Sequence, residues 1–231
     1  MRQHRLGAFF AAVAVGLGGA LAAPLSPAAA SVRDSCMKSI PGLGAATAAQ
    51  IPAKSTQAVV TTGNSRTSSY NTIGFWTRSG GCWSAVRFLK GRNGYAGWHP
   101  RPWDGSGFSP IGVFTLTDAG GRLANPGTSL QYFYRPQWYA KGGFKMNNKR
   151  IQVFNYLVAI NFNRYPGKSP LNLVRPDRSL NDGGIWFHVS GAGATRGCVS
   201  LPQHQMKWAL QWLTPGATPV MVMGPAKTLA G

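Results

Sequence analysis

Apolar and polar positions alternate most cleanly in two short runs near the C-terminus. In Ile185–Ser190, Ile185, Phe187 and Val189 fall on one side and Trp186, His188 and Ser190 on the other. In Cys198–Leu201, Val199 and Leu201 oppose Cys198 and Ser200. Period-two alternation predicts strands. Folded as a hairpin that pairs Phe187 with Val199, the runs set His188 opposite Cys198, although the intervening loop offers other routes between the two. The same alternation, punctuated by Gly63-Asn64, Gly80-Gly81 and Gly91-Arg92-Asn93-Gly94, predicts strands over 57–62, 72–78, 83–89 and 109–116. Residues 151–162 are expected to form a central strand, and 118–150 to be loop-like. Met206, Ala209, Leu210 and Leu213 follow helical spacing and predict a helix over 203–213, ended by Thr214-Pro215-Gly216. A short strand over 218–223 closes a mainly β chain.

The N-terminus breaks the pattern. Arg2 and Arg5 precede an apolar, Ala/Gly-rich run that ends in Ala28-Ala29-Ala30, the layout of a secretory signal peptide cleaved after Ala30. The expected organisation is a signal peptide over 1–30, a leader segment over 31–55, one domain over 56–225 and a tail over 226–231.

Charge narrows the chemistry. The formal net charge is +19, with five Asp and no Glu. Glycosidase chemistry needs two close carboxylates, and a calcium loop needs a dense acidic cluster. Asp34, Asp104, Asp118, Asp177 and Asp182 are too scattered for either. A strongly positive exported protein points to anionic cell-wall polymers as partners. Nucleic acid is not expected as a partner, nor is a cofactor. Zinc is not expected either, because His188, Cys198 and His204 match no common ligand spacing.

The mature chain holds three cysteines. Export permits disulfides, and Cys36–Cys82 is the natural pair, which would leave Cys198 free, whereas either other pairing would consume it. Cys198 has the makings of a nucleophile with His188 as its base. Arg196 adds positive charge two residues away, and N–H groups at Gly197–Cys198 are suited to an oxyanion hole. Ser190 or a backbone carbonyl would orient the imidazole. In papain-like hydrolases the cysteine precedes the histidine along the chain, and here the order is reversed.

Thr195-Arg196-Gly197-Cys198-Val199 preceded by His188 resembles the active-site signature of L,D-transpeptidase catalytic domains, secreted bacterial enzymes that cross-link peptidoglycan. Gly91-Arg92-Asn93-Gly94, Ser109-Pro110-Ile111-Gly112-Val113-Phe114 and Ile160-Asn161-Phe162-Asn163 occur in the family's order. The resemblance implies a β-sandwich with mixed sheets and one short helix after the cysteine. It implies a Cys198 acyl-enzyme on peptidoglycan stem tetrapeptides, with loss of D-alanine and resolution by an amine or by water. Arg196, Ser200, Asn163 and Trp186 are then expected to meet substrate. Arg196 stands where the family commonly has His, and Ser200 where it has Asn or Arg. The competing reading is a non-catalytic cationic wall-binding protein on the same fold. A monomer is expected.

Overall fold

The structure, a computed structural model, describes residues 36–139, 143–146 and 149–231. The expected signal peptide lies outside them.

Thirteen strands and four short helices are present among the described residues. The main sheet has the order β10 (Leu157–Ile160), β11 (Trp186–Val189), β12 (Val199–Leu201), β3 (Cys82–Arg92), β2 (Tyr70–Ser79), β1 (Gln57–Gly63), β13 (Val220–Pro225), β6 (Gly112–Gly121), β7 (Gln131–Tyr134). A further pairing of β10 with β6 closes eight of these strands on themselves. Parallel pairs (β1–β13, β11–β12, β6–β7) mix with antiparallel ones. The expected β-rich, mixed-sheet class is therefore what the chain adopts.

Closure gives every strand an inner and an outer face. Val59, Ile73, Phe75, Val158, Phe187, Val199, Leu201, Met221 and Met223 form the inner core. Helix α3 (Gln203–Trp212) caps it with Met206, Ala209 and Leu210. Leu213, at the C-cap, completes the predicted apolar stripe. Outside β1, β2 and β13 lies a second core of Val60, Trp76, Trp83, Val220 and Val222 with Ile40 and Leu229. Strands buried on both faces need continuous apolar runs, which is why β13 reads Val-Met-Val-Met. Helix α1 (Ala45–Ala49) falls within the leader. The segment expected as a tail forms α4 (Ala226–Ala230), whose Leu229 is buried and accepts a hydrogen bond from Gly44 N–H at 2.8 Å. The Cys36–Cys82 disulfide ties the leader to β3.

Two expectations are corrected. Residues 118–150 are not all loop. They include the end of β6, β7, helix α2 (Pro136–Tyr139) and a hairpin of β8 (Gly143–Met146) with β9 (Lys149–Gln152). The expected central strand over 151–162 is broken between β9 and β10. Asn155 turns outward there, accepting from Arg122 Nε at 2.9 Å and donating to Gln203 Oε1 at 2.5 Å. An apolar run carries no mark of such a side-chain tether, so its pattern reads straight through the turn.

Candidate active site

β11 and β12 pair through Phe187 and Val199 as expected, but in parallel, not as a hairpin. His188 therefore faces Ser200, and the expected His188–Cys198 register is replaced. Alternation fixes which side chains share a face and says nothing of strand direction. Direction is set by the loop. Thr195 forms a parallel bridge with Gly94, its N–H bonded to Asn93 O at 2.9 Å and its C=O to Tyr95 N–H at 2.9 Å. The chain climbs to the end of β3 before returning to Cys198 at the start of β11.

The motifs upstream hold this loop. Ser109 Oγ, fully buried, donates to Gly197 O at 2.6 Å and accepts from Gly94 N–H at 2.9 Å. Thr195 Oγ1 donates to Cys198 O at 2.5 Å and accepts from Gly197 N–H at 3.2 Å. Gly197 has φ +129°, and a Cβ there would meet Phe108 O at 2.8 Å. Only glycine fits both demands. Of the two N–H groups expected to form an oxyanion hole, that of Gly197 is thus engaged with Thr195.

Cys198 is the free cysteine among the described residues, and it is partly exposed. Its sulfur accepts from Trp186 N–H at 3.3 Å and lies 4.0 Å from Gly184 O. Burial pushes the thiol up to about 11; the Trp186 N–H opposes the rise and the Asp182 carboxylate adds to it. Burial pulls His188 down to about 4, against the carbonyls of Val189 and Val153. At neutral pH the pair rests as thiol and neutral imidazole. His188 Nδ1 lies 2.8 Å from Val189 O. A carbonyl only accepts, so Nδ1 carries the proton and Nε2 is the basic nitrogen. The orienting group is this carbonyl. Ser190 Oγ donates instead to Ser200 Oγ at 3.2 Å.

No hydrogen bond joins His188 to Cys198 among the described residues. They occupy the same outer face on neighbouring strands, offset by two positions. Strand spacing and rise put their Cα atoms about 8 Å apart, within reach of side-chain rotation. Phe154, dropped in by the break before β10, sets its ring edge-on to both Trp186 and His188, with centroids 4.8 and 5.4 Å away.

The remaining expected residues divide. Trp186 lines this face. Arg196 is exposed, with no hydrogen bond or ion pair among the described residues. Ser200 is fully buried. Asn163, at φ +45°, spends its side chain on the rim loop. Its amide donates to the carbonyls of Asp177, Leu180 and Asp182, and its oxygen accepts from Asp177 N–H. Sequence reading missed Asp104, which ties two rim loops together through a bidentate pair with Arg175 at 2.7 and 3.0 Å. It also missed Asp118, buried against Arg164 at 2.8 Å. In a chain with five acids each was a visible signal, but its partner was not. No group of metal-ligating side chains occurs among the described residues.

No curated protein matches this chain. Among solved structures, one described as the structure of Bdellovibrio bacteriovorus Bd1075 is similar at 14% identity and a TM-score of 0.42. The alignment covers 73% of this chain and 48% of that one, so the chain spans about half the length of its structural relative. The YkuD family model, described as the L,D-transpeptidase catalytic domain, matches residues 87–222, a span from mid-β3 into β13 that contains the cysteine loop, His188 and the Ser109 pin. The chain belongs to the L,D-transpeptidase catalytic-domain family.

Proposed function

We propose that the protein is an exported cysteine L,D-transpeptidase that acts on peptidoglycan stem tetrapeptides through an acyl-enzyme on Cys198. The observation that carries this is the free, partly exposed Cys198 sulfur, cradled by the Trp186 N–H on the outer face that also bears His188. Export is supported by the basic-apolar-small start of the chain and by the disulfide, which persists in oxidising compartments.

A neutral resting pair sets the order of events. The imidazole swings from its resting place, and Nε2 takes the thiol proton as sulfur attacks the carbonyl of the third stem residue. The Trp186 N–H favours the charged sulfur. The oxyanion is met by the Cys198 N–H, joined by that of Gly197 once Thr195 releases it. Collapse expels D-alanine, whose amine takes the proton from His188. A second stem's amine then attacks the thioester, giving a cross-link, or water attacks, giving the tripeptide. Arg196 and Trp186 are the substrate contacts nearest the sulfur.

Mature protein and Cys198→Ala are to be incubated with disaccharide tetrapeptide and the products read by mass spectrometry. D-alanine release with dimer or tripeptide is expected from the first protein and not from the second. Equal product from both would sink the assignment. The non-catalytic wall-binding reading rests on the positive charge, and it predicts no carbapenem adduct on Cys198; an adduct removes that reading.

A further inference from the structure

We infer that Arg92, braced on Tyr70, binds a carboxylate of the donor peptide on the sheet face that carries Cys198. The inference rests on the acyl-transfer reading above and extends it to a binding site.

His188 pairs with Ser200, Ser200 with Arg92, and Arg92 with Tyr70. Directly paired residues point to one side of a sheet. His188, Ser200, Arg92 and Tyr70 therefore form a row across β11, β12, β3 and β2, on the outer face. Toward β10 this face is occupied by Phe154 and Tyr139 packed on Trp186. Toward β2 the row passes Ser200, which is fully covered, to Arg92, partly exposed, and to Tyr70, 65% exposed at its end. Strands lie about 4.8 Å apart, so Arg92 starts about 10 Å from His188. Three residues of extended peptide span that distance. A donor with its scissile carbonyl at the thiol and its chain running across the strands brings a neighbouring residue over Arg92.

The state of Arg92 points to an anion. Its guanidinium carbon lies 3.5 Å from the Tyr70 ring centroid. Stacking fixes the guanidinium plane and leaves its N–H edge for a ligand. The hydrogen bond it makes is a long one, to Ser69 Oγ at 3.5 Å. Its Nε is shielded and has no partner. The ion pairs among the described residues are Arg164–Asp118 and Arg175–Asp104, so Arg92 has no carboxylate of its own. A carboxylate that accepts from two of the Arg92 N–H groups together fills the deficit. Lys90, on the same face, is already turned to Thr72 Oγ1 at 3.0 Å. Arg196 is solvated and unbraced.

The test uses tetrapeptide donors in which each carboxylate is amidated in turn, with initial rates measured on mature wild type, Arg92→Ala, Arg92→Lys and Tyr70→Leu. For wild type, one amidation should raise KM about tenfold, the loss expected for one charge-assisted contact. Arg92→Ala should bring the acid donor down to that amide's level. Arg92→Lys and Tyr70→Leu should each retain part of the preference, and they read the same coupling if the alanine variant does not fold. Iodoacetamide labelling of Cys198 at the wild-type rate confirms an intact site in each variant. Equal losses on acid and amide donors, or no loss on either, would overturn the inference. Absence of Cys198-dependent product from wild type on every donor is a different result and defeats the acyl-transfer reading itself.

Discussion

The outer face of the closed sheet has two halves built on the same alternation and finished differently. Over β1, β2 and β13, Val60, Trp76 and Val222 disappear beneath Ile40 and Leu229, and a disulfide holds the cover in place. Over β11, β12 and β3, the outward positions are His188, Cys198, Ser200 and Arg92, of which Cys198 and Arg92 remain partly exposed. One half uses its cysteine to close a chain segment over apolar surface. The other keeps its cysteine free. Burial of apolar side chains stabilises the first half, whereas the second carries two titratable groups that burial keeps in their neutral forms. The fold thus offers two equivalent faces, and what lies over each decides which becomes core and which becomes a site.

The two cysteine roles can be separated by substitution. Replacing Cys36 and Cys82 with Ser opens a loop spanning 46 positions and should cost about 4 kcal/mol by loop entropy. Thermal unfolding should report this as a lowered Tm, while Cys198 alkylation per folded molecule is unchanged. A Tm within a degree of wild type would mean the cover holds without its staple.

His188 gives the next largest effect. Its folded pKa is depressed from 6.5 to about 4, so the unfolded chain binds the extra proton first. Stability is therefore full above about pH 6.5 and is lost as pH falls toward 4, by about 3 kcal/mol for this group. Denaturant titrations at stepped pH should show the loss in wild type and a smaller one in His188→Gln. Parallel curves would break the link between burial and the resting neutral imidazole.

For the thiol the sign is opposite. With its pKa pushed up to about 11, alkylation of Cys198 should keep accelerating about tenfold per pH unit from 7 to 9. A plateau near neutral pH would reveal a thiolate already formed at rest.

Ser109→Ala should have the smallest effect. It removes the hydroxyl that links Gly94 to Gly197 and should lower kcat about tenfold with KM little changed, as expected when a reacting atom is slightly misplaced. A change confined to Tm would make the pin purely structural.

Much of the fold was legible because burial imposes periodicity. The faces of β11 and β12 and the stripe of α3 were readable from spacing, whereas the expected pairing of Cys36 with Cys82 rested on an odd cysteine count that leaves other pairings open. Strand direction was not legible, since Phe187 pairs with Val199 whether β12 runs up or down. Nor was the break at Asn155, which depends on Arg122 and Gln203, residues 33 and 48 positions away.

The sequence alone determined which side chains share a face and which family the chain resembles, because each depends on local spacing or residue type. Only the tertiary structure decided that Cys198 turns to the Trp186 N–H, that His188 faces Ser200 and is held by Val189 O, and that Arg92 continues their row. Those relations cross strands distant along the chain. Hydrogen bonds at Gly94, Ser109 and Thr195 fix them, and no pattern of apolar and polar positions encodes the path of a nine-residue loop.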